Sequence, residues 1–156
     1  MAETTEELAR KPSEEARAHI LLAEQNVDRL TDFCKRLLNK HGAPDLAETT
    51  RSYSLLKDLE RIADQYTELA QHSLKNLLPA LTNTHALLRT LYELFYAFNH
   101  TKAEQFIEHA QYAEKAATAL LNNKKTAAAY HLAGIARTLN EMSWSVTAAP
   151  FEQAHQ

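Results

Sequence analysis

Leu55–Ala70 reads LLKDLERIADQYTELA, and the spacing of its apolar residues decides the fold class. Leu56, Leu59, Ala63, Tyr66 and Ala70 recur at steps of three and four, one face of a helix with 3.6 residues per turn. Leu55, Ile62 and Leu69 widen that stripe, so this helix needs neighbours on more than one side. A strand would send successive side chains to opposite faces, and this period does not fit one. The rest of the chain agrees. Its 156 residues hold only two glycines and four prolines, too few to build the turns of a sheet protein, while helix-favouring residues dominate. The expectation is one all-α domain, large enough to bury a real core.

Punctuation along the chain sets the helix boundaries. Residues 1–13 are charged and aperiodic and read as a frayed, flexible leader. Ser13, followed by Glu14 and Glu15, opens a first long helix with a cap and two acids at the positive end of its dipole. Its stripe is Ile20, Ala23, Val27, Leu30, Cys34 and Leu37, and Gly42 before Pro44 stops it. Asp45 starts a second helix reaching to about Leu78, where Pro79 ends or kinks it. A third, over about 82–98, carries a run of large apolar and aromatic side chains. Thr101 and Glu104 match a capping box for a fourth helix running to about Leu121. The Asn122–Lys125 turn implies an antiparallel fifth helix from about Thr126 to Val146. The bundle therefore spans 14–146 in five to six antiparallel helices, with a flexible tail over 147–156.

Charge and composition exclude several functions. A net charge of −3 argues against a general nucleic-acid binder, whose affinity comes from a basic surface. One cysteine, Cys34, cannot form an internal disulfide and fits a reducing compartment; its place on the core stripe makes it a small buried hydrophobe rather than a catalytic thiol. The polar, acidic N-terminus is unlike a signal peptide. No apolar run approaches the roughly 18–20 residues of a membrane helix. The sensible expectation is a cytoplasmic protein without membrane insertion. Two glycines cannot build a phosphate-cradling loop, and no nucleophile motif is present.

The chemistry-bearing pattern is acidic. Glu24 and Asp28 lie four residues apart on the first helix, and Glu60 and Asp64 four apart on the second. Like charges at that spacing repel by roughly 0.2–0.5 kcal/mol per pair. Both pairs border core stripes, so antiparallel packing would bring four carboxylates across one seam. Such a cluster calls for a hard cation or for bound protons. The alternative is a solvated face, its acids paired with Lys57, Arg61 and Arg29. An internal echo accompanies the pattern. DLERIADQYTELA (58–70) aligns with HLAGIARTLNEMS (131–143), and AEQNVDRL (23–30) with HAQYAEKA (109–116).

VDRL (27–30) followed by LERIAD within LLKDLERIADQYTELA resembles the PhoU family, whose members carry paired E/D-x-x-x-D motifs on adjacent helices. The stretch ELFYAFNHTKAEQFIEHAQ (93–111) resembles the helix break and fourth helix of archaeal-type members. The resemblance implies a PhoU-like bundle of two degenerate pseudo-repeats, able to hold a cation such as Fe, Mn, Mg, Ca or Zn on its acid motifs. Carried over, the metal ligands are Glu24, Asp28, Glu60 and Asp64. The second half departs from the pattern: Ala133 and Arg137 stand for Glu60 and Asp64, and Ala110 for Glu24, so only Glu114 survives, in the place of Asp28. At most one metal site is expected.

The implied function is non-enzymatic regulation of phosphate uptake and homeostasis. It would act through the ATPase subunit of a phosphate ABC transporter, a sensor histidine kinase, or both, with homodimerisation open. No room for the DNA-binding segment of archaeal-type members precedes the bundle, which favours protein–protein contact over direct nucleic-acid binding. The rival readings are an adaptor for transport of another ion, a carboxylate-metal enzyme, and a ferritin-like protein. The last needs two inward Glu-x-x-His pairs, and the only such spacing is Glu152 to His155 in the tail. His109 and His131 fall near the degenerate motif as possible substitute ligands, though scattered helix histidines are usually surface or packing residues. Part of the aromatic run from Tyr92 to Phe98 is left over for a partner surface, and Trp144 is expected to pack the bundle end.

Overall fold

The computed structural model describes residues 1–124 and 126–147. Among them are six helices: α1 (Ala2–Arg10), α2 (Glu14–His41), α3 (Leu46–Ala70), α4 (Leu78–Tyr96), α5 (His100–Lys124) and α6 (Ala127–Thr147). The protein is an all-α helical bundle, and no helix among the described residues is long and apolar enough to cross a membrane. Trp144's side chain and the tail at 148–156 fall outside the described residues.

Capping residues hold several of the expected boundaries. Ser13 Oγ accepts the Ala16 amide at 3.3 Å, and Asp45 Oδ1 accepts the Glu48 amide at 2.7 Å. Each satisfies one of the amides that a helix start leaves without a partner. Gly42 closes α2 with φ +70°, a conformation that costs a glycine little.

Four boundaries differ from expectation, each for a local reason. The leader is not frayed over 2–10. It forms α1, whose Thr5 and Leu8 are buried in the core. Two side chains one turn apart suffice to dock so short a helix, and they leave no periodic signature. Glu6 ties it down further, its carboxylate 2.6 Å from His85 Nδ1 on α4. The second long helix ends at Ala70 rather than Leu78. Residues 71–77 then turn through Asn76, at φ +66°, a left-handed conformation that asparagine tolerates better than most residues. Pro79 consequently lies in the first turn of α4, where its missing N–H costs nothing. At α5 the cap is Asn99, whose Oδ1 accepts the Lys102 amide at 2.9 Å, so the Thr101 capping box is not the start. α5 also runs on to Lys124, so less of the Asn122–Lys125 stretch is turn than expected.

α3 and α6 form the centre. α2 packs on α3, α5 on α6, and α3 on α6; α1 touches α2, α3 and α4, while α4 touches α5 and α6. This pattern is unchanged when α1, α2 and α3 are exchanged for α4, α5 and α6. Each half is thus a three-helix unit, and the halves meet through α3 and α6. Ile62, Tyr66 and Leu69 from one side and Leu132, Ile135 and Leu139 from the other fill the middle. α2 is the most lightly covered long helix. Of its expected stripe Ile20 is buried, but Leu30 and Leu37 are 64% and 43% exposed and face away from α3.

Replacing Leu8 with alanine separates a docked α1 from a loose leader. Leu8→Ala should cost about 2–3 kcal/mol in urea unfolding, the lower part of the range for a buried leucine. A change below about 0.5 kcal/mol would mean that α1 contributes nothing to the core.

Candidate cation site

α2 and α3 run antiparallel, and their acid motifs meet partway along the seam. Glu24 and Asp28 project one turn apart from α2, and Asp64 faces them from α3. One carboxylate oxygen from each lies within 4.8 Å of the other two. Glu24 and Asp28 are half-buried and Asp64 is exposed. Among the described residues this is the one cluster of three or more His, Cys, Asp or Glu side chains so arranged.

The electrostatics of the corner are unfavourable for three free carboxylates. Burial raises the Glu24 carboxyl above its ordinary range, and the Asp28 charge, a hydrogen bond with Asp28 and the Asp64 charge push the same way. Asp64 is raised as well, first by burial and then by Asp28, Glu60 and Glu68. Neighbouring bases do not relieve the repulsion. Arg61 is turned aside to Asp58 and Glu141, each at 2.7 Å. Arg29 and Lys57 make no ion pair among the described residues.

Glu60, the fourth expected ligand, is not in the corner. Its Oε1 lies 2.6 Å from the Thr31 hydroxyl, and its Oε2 accepts from the Lys35 ammonium. Burial works against the charge of Glu60, but Lys35 and Thr31 outweigh it and hold the carboxyl below its usual range. Glu60 is thus a saturated link between α2 and α3, one turn from the site. Lys35 and Thr31 had no place in the sequence reading. A signal was present: Asp28, Thr31 and Lys35 fall at i, i+3 and i+7, one face of α2.

The second half shows what the same positions do without the acids. Where the first half sets Asp28 against Asp64, the second sets Glu114 against Arg137, with Arg137 Nε 3.4 Å from Glu114 Oε1. Asn140 donates to the other oxygen at 2.8 Å. The counterparts of Thr31, Lys35 and Glu60 are Ala117, Leu121 and Ala133, and these pack together with Ala136 as a small apolar cluster. Ala110, in the place of Glu24, is fully buried. A repulsive corner has become a neutral pair, and a polar bridge has become packing.

Among the described residues no histidine joins the corner. His131 lies 3.0 Å from Gln65 Oε1 and stacks on His72 at 5.7 Å; His109 lines a cleft with Asn83 and Tyr112 between α4 and α5. Cys34 is a free, half-buried thiol. Of the aromatic run, Tyr92, Phe95 and Tyr96 are exposed while Leu87, Leu91 and Leu94 are buried.

No family model, curated protein or solved structure matches the chain. The chemistry of the corner therefore rests on its donors. Three carboxylates are hard, anionic ligands suited to Mg²⁺, Mn²⁺, Ca²⁺ or ferric iron. Calcium–oxygen distances of about 2.3–2.6 Å place ligands up to about 5 Å apart across the ion, which the observed spacing allows. Three protein ligands would leave positions for water.

The sign of the pH dependence follows from the raised carboxyls. A group more basic in the folded state stabilises the fold below its unfolded pKa and loses that contribution as pH rises through the folded value. The corner therefore costs stability at neutral pH. Without cations, Asp28→Asn should melt about 1–2 °C above the parent at pH 7, from about 0.2–0.5 kcal/mol of relieved repulsion. The difference should shrink toward pH 4. Added Mn²⁺ should raise the melting temperature of the parent and leave Asp28→Asn nearly unmoved; equal shifts in both proteins would remove the corner as a binding site.

Proposed function

We propose that the protein is a PhoU-like regulator of phosphate uptake that works through protein–protein contacts, with the ATPase subunit of a phosphate transporter or a sensor kinase as partner. The observation that carries this reading is the carboxylate corner. It is built by the two segments, VDRL and LERIAD, that resemble the family's paired motifs, and its acids are left without bases. Glu24, Asp28 and Asp64 would hold one cation, while Glu60 would keep α2 in register on α3 through Thr31 and Lys35. A bound cation would supply neutralising charge. The residues around it do the rest: Asp64 fixes the α3 side, and Glu24 and Asp28 fix the α2 side, so occupancy would stiffen the seam.

A regulatory role agrees with the rest of the molecule. The polar groups one turn from the corner, Thr31, Lys35 and Glu60, are engaged with one another. The second half has exchanged its acids for an ion pair and for packing, which serve stability. Regulation of this kind requires a surface whose affinity for a partner changes with occupancy.

The test is affinity capture of the intact protein from its native cells, grown in high and in low phosphate, followed by identification of the bound proteins. A phosphate-transport ATPase or its sensor kinase should be retained, and retention should differ severalfold between the parent and an Asp28→Asn/Asp64→Asn variant. Retention of an ATPase serving a different ion, or loss of neither partner in the variant, would overturn the proposal.

A further inference from the structure

On the side of α2 away from the carboxylate corner, Leu22, Leu30, Phe33 and Leu37 are 55%, 64%, 58% and 43% exposed. With exposed Asn26 they form one stripe, at steps of four, four, three and four residues, about 22 Å long at 1.5 Å per residue. Isolated exposed leucines are ordinary, but four large apolar side chains in register on a helix packed mainly on α3 and α1 are not. The stripe also has a charged edge. Arg29, Arg36 and Lys40 recur along one border, all exposed and none in an ion pair among the described residues. The acids of this stretch lie elsewhere: Glu24 and Asp28 turn toward α3, and Asp32 sits further round the helix from the stripe. On the other border Ala23, Val27, Cys34 and Leu38 are half-buried, approaching α3.

We propose that this face of α2 docks an amphipathic helix of another protein, whose apolar stripe is bordered by aspartate and glutamate. The apolar stripe supplies burial; the one-sided basic border sets the chemistry and the orientation of the partner. A second copy of this chain is a poor occupant. In an antiparallel pairing about a two-fold axis each border meets its own mate, so Arg29 and Arg36 would face Arg36 and Arg29 across the seam. In a parallel pairing the basic border would have to meet the border that α3 closes off. An anionic membrane surface is also less suited, because surface-lying helices carry lysine and arginine along both sides of the apolar face, and here only one side is basic. This surface goes beyond the phosphate reading and does not depend on it, since it lies opposite the carboxylates and its occupant is defined by charge and shape.

The test uses two synthetic 18-residue helical peptides with leucine at alternating three- and four-residue spacing, one flanked by glutamate and its twin by lysine. Binding to the intact protein is followed by fluorescence anisotropy. The glutamate peptide should bind, with the lysine twin at least tenfold weaker. Leu30→Ser/Phe33→Ser should abolish binding, and Arg29→Glu/Arg36→Glu should reverse the preference between the peptides. All four side chains are exposed, so both variants should keep the helical circular dichroism and melting temperature of the parent. Equal binding of the two peptides, or none, would overturn the proposal. So would a parent dimer that Leu30→Ser/Phe33→Ser dissolves, which would make a second copy the occupant. Sedimentation of the protein with phosphatidylserine vesicles, lost in Arg29→Glu/Arg36→Glu, would identify a membrane surface instead and overturn it too.

Discussion

The close packing of α3 against α6 is the constraint on which the other contacts depend. At the edge of that seam Arg61 of α3 meets Glu141 of α6 at 2.7 Å. Gly134 sits where a Cβ would lie 2.8 Å from Gln65 Oε1, the same oxygen that meets His131. Any side chain at 134 would displace that contact. With the helices this near, Ile62, Tyr66 and Leu69 share one buried cluster with Leu132, Ile135 and Leu139. The remaining helices are added to this pair, α1 and α2 on one side and α4 and α5 on the other.

Because both halves hang from one seam, equivalent positions see equivalent surroundings, and the sequence is free to use them differently. The second half uses them for cohesion. There it sets Glu114 against Arg137 and packs Ala117, Leu121, Ala133 and Ala136 together. The first half keeps Glu24, Asp28 and Asp64 together at an energetic cost and sets Glu60 beside them as a brace. Unrelieved like charges next to a satisfied link mark a place where binding of a proton or a cation would be coupled to how tightly α2 is held. The outer face of the same helix carries the apolar stripe. α2 is therefore in contact with both proposed activities, one on each side.

What was legible in the sequence were features whose cause is local. The 3.6-residue period of Leu55–Ala70 announced its helix, and Ser13, Asp45 and Gly42 announced boundaries, because capping is decided within four residues. The grouping of Glu24, Asp28 and Asp64 was legible from two i, i+4 pairs flanking core stripes. Features decided by distant neighbours were not. α1 depends on His85, 79 residues beyond Glu6, and on packing against α2, α3 and α4. Pro79 has the same local signature whether it ends one helix or begins the next, and Asn76 decides which. Leu30 and Leu37 fit a core stripe by period alone, and only the one-sided cover of α2 turns them outward. Glu60 matched its motif as well as Asp64 did, but Lys35 reaches it first.

The corner of Glu24, Asp28 and Asp64 is proposed to take one cation, while the matching positions of the second half hold Ala110, Glu114 and Arg137. Counting bound Mn²⁺ by equilibrium dialysis against electron paramagnetic resonance at neutral pH tests this most directly. One ion per chain in the parent, and none in Asp28→Asn/Asp64→Asn, is the predicted result. Two ions per chain, none, or one that survives the double substitution would contradict it.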